Sequence, residues 1–250
     1  MDLAPALAAL RPLGGFSVLR VSPPPPHRPL PTLARAYSAD PPARSADDPD
    51  PLASRVRKVA AALRTPETRV AASVAHQGLA ARLWSVTLGC AALYGAVPDL
   101  DPALLHWDPE ATAPDDLWLT EARALPGDTA TAAETVLGTH LAPLAAALHA
   151  RYRLAPGLLW GNAASALAGA GRELDRWARR HGRTDTAARA RSLTAGLLAH
   201  PRLAGTGTLT GTAFRRRSCC LYYRVPGAGV CGDCCFSRPP GPRSSPSPPR

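Results

Sequence analysis

The pattern of apolar and polar positions predicts a largely helical chain. Within residues 52–63, apolar side chains recur at i, i+3, i+4 and i+7, the spacing of one buried helical face, at Val56, Val59, Ala60 and Leu63. Similar patterns predict further helices over residues 67–96, 128–152, 156–182 and 184–200. Residues 125–128 are predicted as a turn, Asp128 as the cap of the 128–152 helix, and Pro143 as the site of a kink in that helix.

Short strands are expected where helical spacing is missing. Prolines mixed with apolar residues favour strands around Leu105, Trp107 and Leu117–Leu119. The Thr- and Gly-rich run 205–214 predicts a hairpin or an extended approach to the C-terminal cysteines. We therefore expect a mainly α fold, or α+β, with a helical body, a few short strands and a small loop-rich C-terminal segment.

Composition divides the chain into regions. Proline lacks a backbone donor and the segment 22–51 has little to bury, so an extended or disordered connection is expected there. The Pro/Ser-rich end predicts a disordered tail. The predicted organisation is an N-terminal segment with a Pro-rich linker at 1–51, a helical body at 52–204, a cysteine-bearing segment at 205–236 and a tail at 237–250.

The net charge of +10 admits an anionic ligand, nucleic acid, anionic lipid or an acidic protein partner, and a solvated basic surface explains it as well. The N-terminus lacks the basic start of a signal peptide. The longest apolar run, residues 83–97, is too short to cross a bilayer. A cytoplasmic location without a transmembrane segment is therefore expected, and this expectation is compatible with peripheral contact with a membrane.

Five of the six cysteines fall within residues 219–235. Cys219 and Cys220, ten further residues, then Cys231 and Cys234 supply four thiolates, which suit tetrahedral zinc or an iron–sulfur cluster. Adjacent cysteines reach a single metal ion with difficulty because successive extended side chains point apart. Iron–sulfur, zinc, and disulfides or free thiols all remain open from spacing alone. The sixth, Cys90, lies in an apolar run typical of a buried small hydrophobe.

The segments 216–224 and 231–234, with the intervening Gly-x-Gly, resemble the C-terminal signature of FhuF-type ferric siderophore reductases. The resemblance implies that Cys219, Cys220, Cys231 and Cys234 hold a 2Fe-2S cluster. Cys235 departs from the pattern, where an aliphatic residue is expected, and is either a spare thiol or a competing ligand. Further likeness to the family lies in residues 70–83, 104–109 and 159–167.

The function that the resemblance implies is one-electron reduction of Fe(III) in a ferric siderophore, of hydroxamate type among others, with release of Fe(II). The sequence contains no nicotinamide or flavin fingerprint, so the electron would come from a protein or a soluble reductant. Nucleic acid is not expected as a partner. Two alternatives stay open: a zinc-binding interaction module that contacts nucleic acid, and an iron–sulfur sensor or siderophore-pathway protein without turnover.

Candidate docking residues fall into two groups. Arginines beside the cysteines could offset cluster charge or attract an anionic complex or an acidic donor, and could equally be surface charges: Arg215, Arg216, Arg217 and Arg224. Several side chains of the helical body could face the substrate. They could equally be core or packing residues, or could form hydrogen bonds to neighbouring backbone. They are His76, Arg82, Trp160 and Asn162, with Ser165 beside them.

Overall fold

The computed structural model describes residues 3–25, 29–38 and 50–240. Helices form most of this part of the chain, as the pattern predicts, and the mainly α fold class is confirmed. The α-helices are α1 (Leu3–Ala8), α2 (Leu33–Tyr37), α3 (Pro51–Leu63), α4 (Thr68–Tyr94), α5 (Thr129–Ala133), α6 (Ala142–Tyr152), α7 (Pro156–Arg180) and α8 (Thr184–Leu198).

The long helices α4 and α7 pack together at the centre of the fold. Helix α7 begins with Pro156, whose missing N–H is not needed at a helix start, and α4 ends at Gly95 with a left-handed φ of 67°. Small buried residues of α7, among them Ala163 and Ala164, let the two helices approach closely. Cys90 lies fully buried in α4, where burial raises the pKa of its thiol to about 12, as expected of an inert core residue.

Short strands surround the helical centre, and their pairing brings distant segments together. In the described residues, β1 (Arg20–Val21) pairs parallel with β4 (Leu117–Leu119), which pairs antiparallel with β3 (Leu105–Trp107). Strand β2 (Ala96–Pro98) pairs antiparallel with β5 (Ala124–Pro126). The predicted strands at 105–107 and 117–119 are confirmed. The remaining strands of the described residues are β6 (Gly207–Thr210) and β7 (Ala213–Arg216).

Leu125 and Pro126 of the predicted turn at 125–128 belong to strand β5, and Gly127 and Asp128 follow the strand. Val97 of β2 pairs with Leu125, and Gly127 then passes so close to Gly95 that a Cβ at Gly127 would lie 2.2 Å from its carbonyl oxygen. Asp128 caps the next helix as predicted, accepting a hydrogen bond from Thr131 N at 2.8 Å.

The predicted helix over 128–152 contains a π-helix at Glu134–Leu141, which ends two residues before Pro143, the predicted site of a kink. Proline cannot donate the usual helical hydrogen bond, and a wider turn accommodates it. His140 of this π-helix is fully buried, donates from Nε2 to Leu100 O at 2.5 Å and accepts at Nδ1 from the Tyr37 hydroxyl at 2.8 Å.

The described N-terminal residues pack on the core, and part of the segment 22–51, expected to be extended or disordered, forms helix α2. The boundaries predicted for the segment 1–51 stay a prediction. Leu3, Leu7 and Leu10 are buried, and helix α2 buries Leu33 and Tyr37. A helix of five residues is too short to show a recognisable apolar periodicity between prolines. The hydrogen bond from Tyr37 to His140 is long-range in sequence, so it could not be predicted either. Residues 39–49 of the predicted linker and 241–250 of the predicted tail lie outside the described residues. No helix in the described ranges has the length and apolar character to cross a membrane.

Candidate functional site

The β6–β7 hairpin leads the chain into the cysteine segment and packs against α7. Its register places Leu209 opposite Phe214 and Gly207 opposite Arg216. A Cβ at Gly207 would lie 2.2 Å from the Phe214 ring, so glycine is needed for the ring to fold over the hairpin. The hairpin is one of the two forms predicted for residues 205–214, and it ends at Arg216, three residues before the first clustered cysteine.

Two of the clustered thiols, those of Cys220 and Cys231, lie in contact. Cys220 is 3% exposed, and its Sγ lies 3.4 Å from Sγ of Cys231. The pKa of Cys220 is lowered to about 6, first because the Cys231 thiol donates a hydrogen bond to it, and the pKa of Cys231 is raised by the same bond. Burial raises the pKa of Cys219 to about 11. This pair favours one thiolate even without a metal ion.

Backbone N–H groups point at two further sulfurs. Leu221 N donates to Cys219 Sγ at 3.3 Å, and Phe236 N donates to Cys234 Sγ at 3.4 Å. Such bonds stabilise anionic sulfur and are typical of iron–sulfur ligand loops. Left-handed φ angles at Leu221 (69°) and Gly227 (74°) turn the chain between the two cysteine pairs. The backbone is therefore shaped around the sulfur atoms.

A hydrogen-bond chain fixes the cysteine segment to both central helices. The Ser73 hydroxyl of α4 donates to Cys220 O at 2.7 Å. Asn162 of α7 donates from Nδ2 to Ser73 O at 2.9 Å and accepts at Oδ1 from Arg216 Nη2 at 2.5 Å. Ser73 and Asn162 are buried and hydrogen-bonded, so the position of Cys220 is set by α4, α7 and β7 together.

Arg216 is a buried cation beside the thiols. It is 1% exposed, and its Nε and Nη1 find no hydrogen-bond partner in the part of the chain that the structure describes. Its charge contributes, after the Cys231 hydrogen bond, to the lowered pKa of Cys220. A buried cation with unpaired donors is costly unless an anion lies nearby. An all-thiolate cluster is such an anion, and the donor set therefore fits one.

Within the described ranges, no three His, Cys, Asp or Glu side chains are grouped closely enough to hold one metal ion. A 2Fe-2S cluster does not require such a group, because its four thiolates are shared between two irons. The close Cys220–Cys231 sulfur pair and the nearby Cys219 and Cys234 match that requirement in number and type.

A cleft of about 420 Å³ adjoins the thiols. Its walls come from α4, from α7, from the N-terminal residues 13–17 and from the turn Cys231–Asp233. Asp233 is held at Oδ2 by the Ser165 hydroxyl at 2.6 Å and lies 3.5 Å at Oδ1 from Arg172 Nη1. A volume of this size is in the range of small-molecule sites, and one clustered cysteine is part of its wall.

The structure brings together two candidates from the sequence near the thiols and places a third beside them. Arg216 contacts Asn162, and the pKa of the buried His76 is lowered to about 3, first by burial and then by the charge of Arg216. His76 Nδ1 has no hydrogen-bond partner among the described residues. Asn162 forms hydrogen bonds with the Ser73 carbonyl group and with Arg216. This agrees with the interpretation that Asn162 satisfies neighbouring backbone, the alternative to a ligand contact.

The other candidates lie apart from the thiols or at the surface. Arg82 is 1% exposed and binds Asp116 and the carbonyl groups of the N-terminal loop. Arg224 pairs with Glu67 at 2.9 Å, and Trp160 lies 5.3 Å from the Arg202 guanidinium. Arg217 is exposed. Their docking roles remain predictions.

Sequence reasoning missed most of the cleft. Gln77, Arg172 and Asp233 line it, and so do the glycines and Phe16 of the N-terminal loop. Asp233 could have been found from the sequence, because it lies inside the Cys-Gly-Asp-Cys motif. An acidic residue between two proposed metal ligands needs a hydrogen-bond or charge partner of its own. The loop carries no comparable signal, because its approach to the cysteines depends on tertiary packing.

Comparisons with known proteins agree with this geometry. Residues 70–217 match a family model described as "Ferric iron reductase FhuF-like transporter". Residues 216–236 match a second, described as "FhuF 2Fe-2S C-terminal domain". No curated protein matches the chain.

Proposed function

Because the chain belongs to the FhuF-like ferric iron reductase family, we propose that it transfers one electron to Fe(III) in a siderophore complex and so releases Fe(II). The C-terminal match indicates a 2Fe-2S cluster. The observation that carries the proposal is that Cys231, one of the clustered thiols, also lines the 420 Å³ cleft. An iron complex in this cleft would lie directly against the redox site.

The residues proposed to hold the cluster are Cys219, Cys220, Cys231 and Cys234. When bound, the cluster supplies a store for one electron. Arg216 supplies positive charge from the buried side, and backbone N–H groups of Leu221 and Phe236 bind sulfur. Cys235 is proposed as a spare thiol, since it stands outside the four-cysteine pattern, at a position where the family resemblance implies an aliphatic residue.

The redox balance involves a single electron. The reduced protein loses one electron, Fe(III) becomes Fe(II), and no bond to iron has to break in that step. Hard oxygen donors bind Fe(II) less tightly than Fe(III), so the metal then dissociates. A reduced electron-transfer protein or a soluble reductant returns the electron to the protein. A reducing compartment such as the cytoplasm would keep the ligand thiols available.

The charges of the cleft bear on the siderophore class. Its ionic side chains are Arg172, Glu173 and Asp233. Arg172 lies near Asp233, and Glu173 pairs with Arg176 at 2.9 Å. The arginine that lines the cleft, Arg172, is therefore already close to a carboxylate. It is poorly placed to balance the charge of a strongly anionic tris-catecholate complex. A neutral or cationic ferric trihydroxamate avoids that repulsion, and we propose this class as the substrate.

Stopped-flow oxidation of the dithionite-reduced protein tests the proposal. A ferric trihydroxamate should oxidise the protein with saturable kinetics, and a Fe(II) trap should collect one iron per electron. A ferric tris-catecholate of similar size is the matched comparison and should react more slowly. Oxidation by the trihydroxamate no faster than by simple chelated iron would contradict turnover and would favour the sensor alternative.

A further inference from the structure

The N-terminal residues 13–17 form one wall of the cleft although they lie far from the cysteines in sequence and outside both family matches. Gly14 adopts a left-handed φ of 111°, which an L side chain rarely adopts, and joins two short 3₁₀ turns. Phe16 in the second turn is 48% exposed while lining the cleft. Of the large hydrophobic side chains in the described ranges, only Phe16 and Phe236 are exposed to this degree.

Arg82 fixes this wall from inside the protein. Its guanidinium donates to Gly15 O at 2.9 Å, to Phe16 O at 2.5 Å and to Val18 O at 2.6 Å. Its Nε donates to Asp116 Oδ1 at 2.9 Å, which balances the buried charge. Bonds from a charged donor are stronger than neutral ones, so one side chain of α4 determines the path of the loop.

The exposed Phe16 ring favours a ligand that has apolar groups. An aromatic side chain at the edge of a cleft loses contact with water when a ligand with apolar groups binds, which favours binding. A linear ferric trihydroxamate has methylene chains between its iron-binding groups, and these suit Phe16 and the neighbouring Leu13. The polar groups of α7 and the Cys231–Asp233 turn form other parts of the same cleft.

We propose that residues 13–17 are the substrate-recognition wall of the reductase, in which Phe16 packs against the methylene chains of the ferric complex and Arg82 is a positioning residue. This inference rests on the proposed function. It places recognition on a segment that the family models do not cover, and it gives Arg82 an indirect role in place of direct substrate docking.

The test uses the gallium(III) complex of desferrioxamine B, which has the charge of the ferric complex but cannot accept an electron under these conditions. Titration calorimetry with the cluster-loaded protein measures its Kd. Phe16→Ala should raise this Kd about tenfold, as expected from the loss of one packed aromatic side chain. Phe16→Leu, which keeps an apolar side chain, should recover most of the affinity. An unchanged Kd in Phe16→Ala overturns the recognition role.

Arg82→Lys keeps the charge opposite Asp116 but cannot make the same fork of hydrogen bonds. The variant should raise the Kd of the gallium complex and the KM for the ferric complex, with kcat and the visible spectrum retained. Equal loss of activity toward ferricyanide, which needs no recognition wall, would mean general damage and overturns the positioning role. The proposed function is judged separately: wild-type protein that fails to reduce the ferric trihydroxamate overturns both.

Discussion

Arg216 Nη2 donates a hydrogen bond of 2.5 Å to Asn162 Oδ1, joining the strand that leads to the cysteines with the central helix α7. The remaining Arg216 nitrogens Nε and Nη1 have no partner among the described residues. A buried guanidinium that an amide orients, and that keeps two nitrogens without a partner among the described residues, is placed to compensate negative charge on the thiolates. Adding an electron increases that negative charge, so the arginine should stabilise the reduced protein more than the oxidised protein.

We therefore expect Arg216→Gln to lower the midpoint potential by about 60 mV, which corresponds to a tenfold change in a one-electron equilibrium. Arg217→Gln is the matched control, because it removes the same charge from the neighbouring, exposed position. Spectroelectrochemical titration of both variants at equal ionic strength gives the comparison. Equal shifts in the two variants would mean that only the overall charge matters.

The proposed ligand set makes a second prediction. Cys231→Ser should remove most visible absorption and acid-labile sulfide, because Cys231 lies 3.4 Å from Cys220 in the sulfur pair. Cys235→Ser is the control and should retain the spectrum, since that thiol is proposed as spare. Iron and sulfide analysis of anaerobically purified proteins measures the difference. Bleaching of Cys235→Ser with an intact Cys234→Ser would shift the ligand set by one residue.

Much of this arrangement is contained in local sequence. Asp128 is predicted as a helix cap, and it accepts the hydrogen bond from Thr131 N that a cap requires. The 105–107 and 117–119 strands form where apolar residues lie between prolines. The spacing of the cysteines predicts clustered thiols, and family resemblance specifies a 2Fe-2S cluster, which the C-terminal family match supports. In each case the deciding residues lie within one turn, one strand or one motif.

The cleft could not be predicted in the same way. Arg82 reaches carbonyl groups 64–67 residues earlier in the chain, and a carbonyl group has no residue-specific signature in sequence. His76 and Arg82 are both buried polar groups of α4, yet one lies near Arg216 and the other holds the N-terminal loop. Their different roles depend on which neighbour packs against each face of the helix.

A third prediction concerns pH and the buried His140. Burial lowers its pKa to about 4, below the ordinary value of 6.5 that it regains on unfolding. Between these values the unfolded chain binds more protons, so protonation favours unfolding and stability falls as the pH drops from about 6.5 toward 4. The contribution of one histidine is at most about 1.4 kcal/mol per pH unit.

Urea unfolding at pH 7.5 and pH 5.5 measures this effect, and His140→Gln tests its origin. The variant should be less stable at both values, because the hydrogen bonds to Tyr37 and Leu100 are weakened. Its loss of stability between the two pH values should be smaller than that of the wild type. His149, at the surface end of α6, provides the control: His149→Gln should keep the full pH dependence. Identical pH dependence in His140→Gln and wild type would exclude the histidine as the cause.

The last prediction concerns Gly161, which leaves space for the cysteine segment on α7. A Cβ at this position would lie 2.1 Å from Ser218 Oγ and 3.1 Å from Arg216 Nη2. Gly161→Ala must therefore turn the Ser218 hydroxyl into another rotamer, and it presses on the Arg216 guanidinium that Asn162 holds. We expect a loss of about 1–3 kcal/mol in unfolding free energy, the usual cost of overpacking.

Gly157, one turn earlier on the same helix, is the matched control, since a Cβ there meets no atom within 4 Å. Alanine is favoured over glycine in helices by about 1 kcal/mol, so Gly157→Ala should leave stability unchanged or raise it. Urea unfolding and the iron content of both variants provide the measurements. Because only Gly161 contacts the Arg216 region, only its variant should also lose iron. Similar iron content and stability in the two variants would show that the approach of Ser218 and Arg216 to α7 is not required for the cluster site.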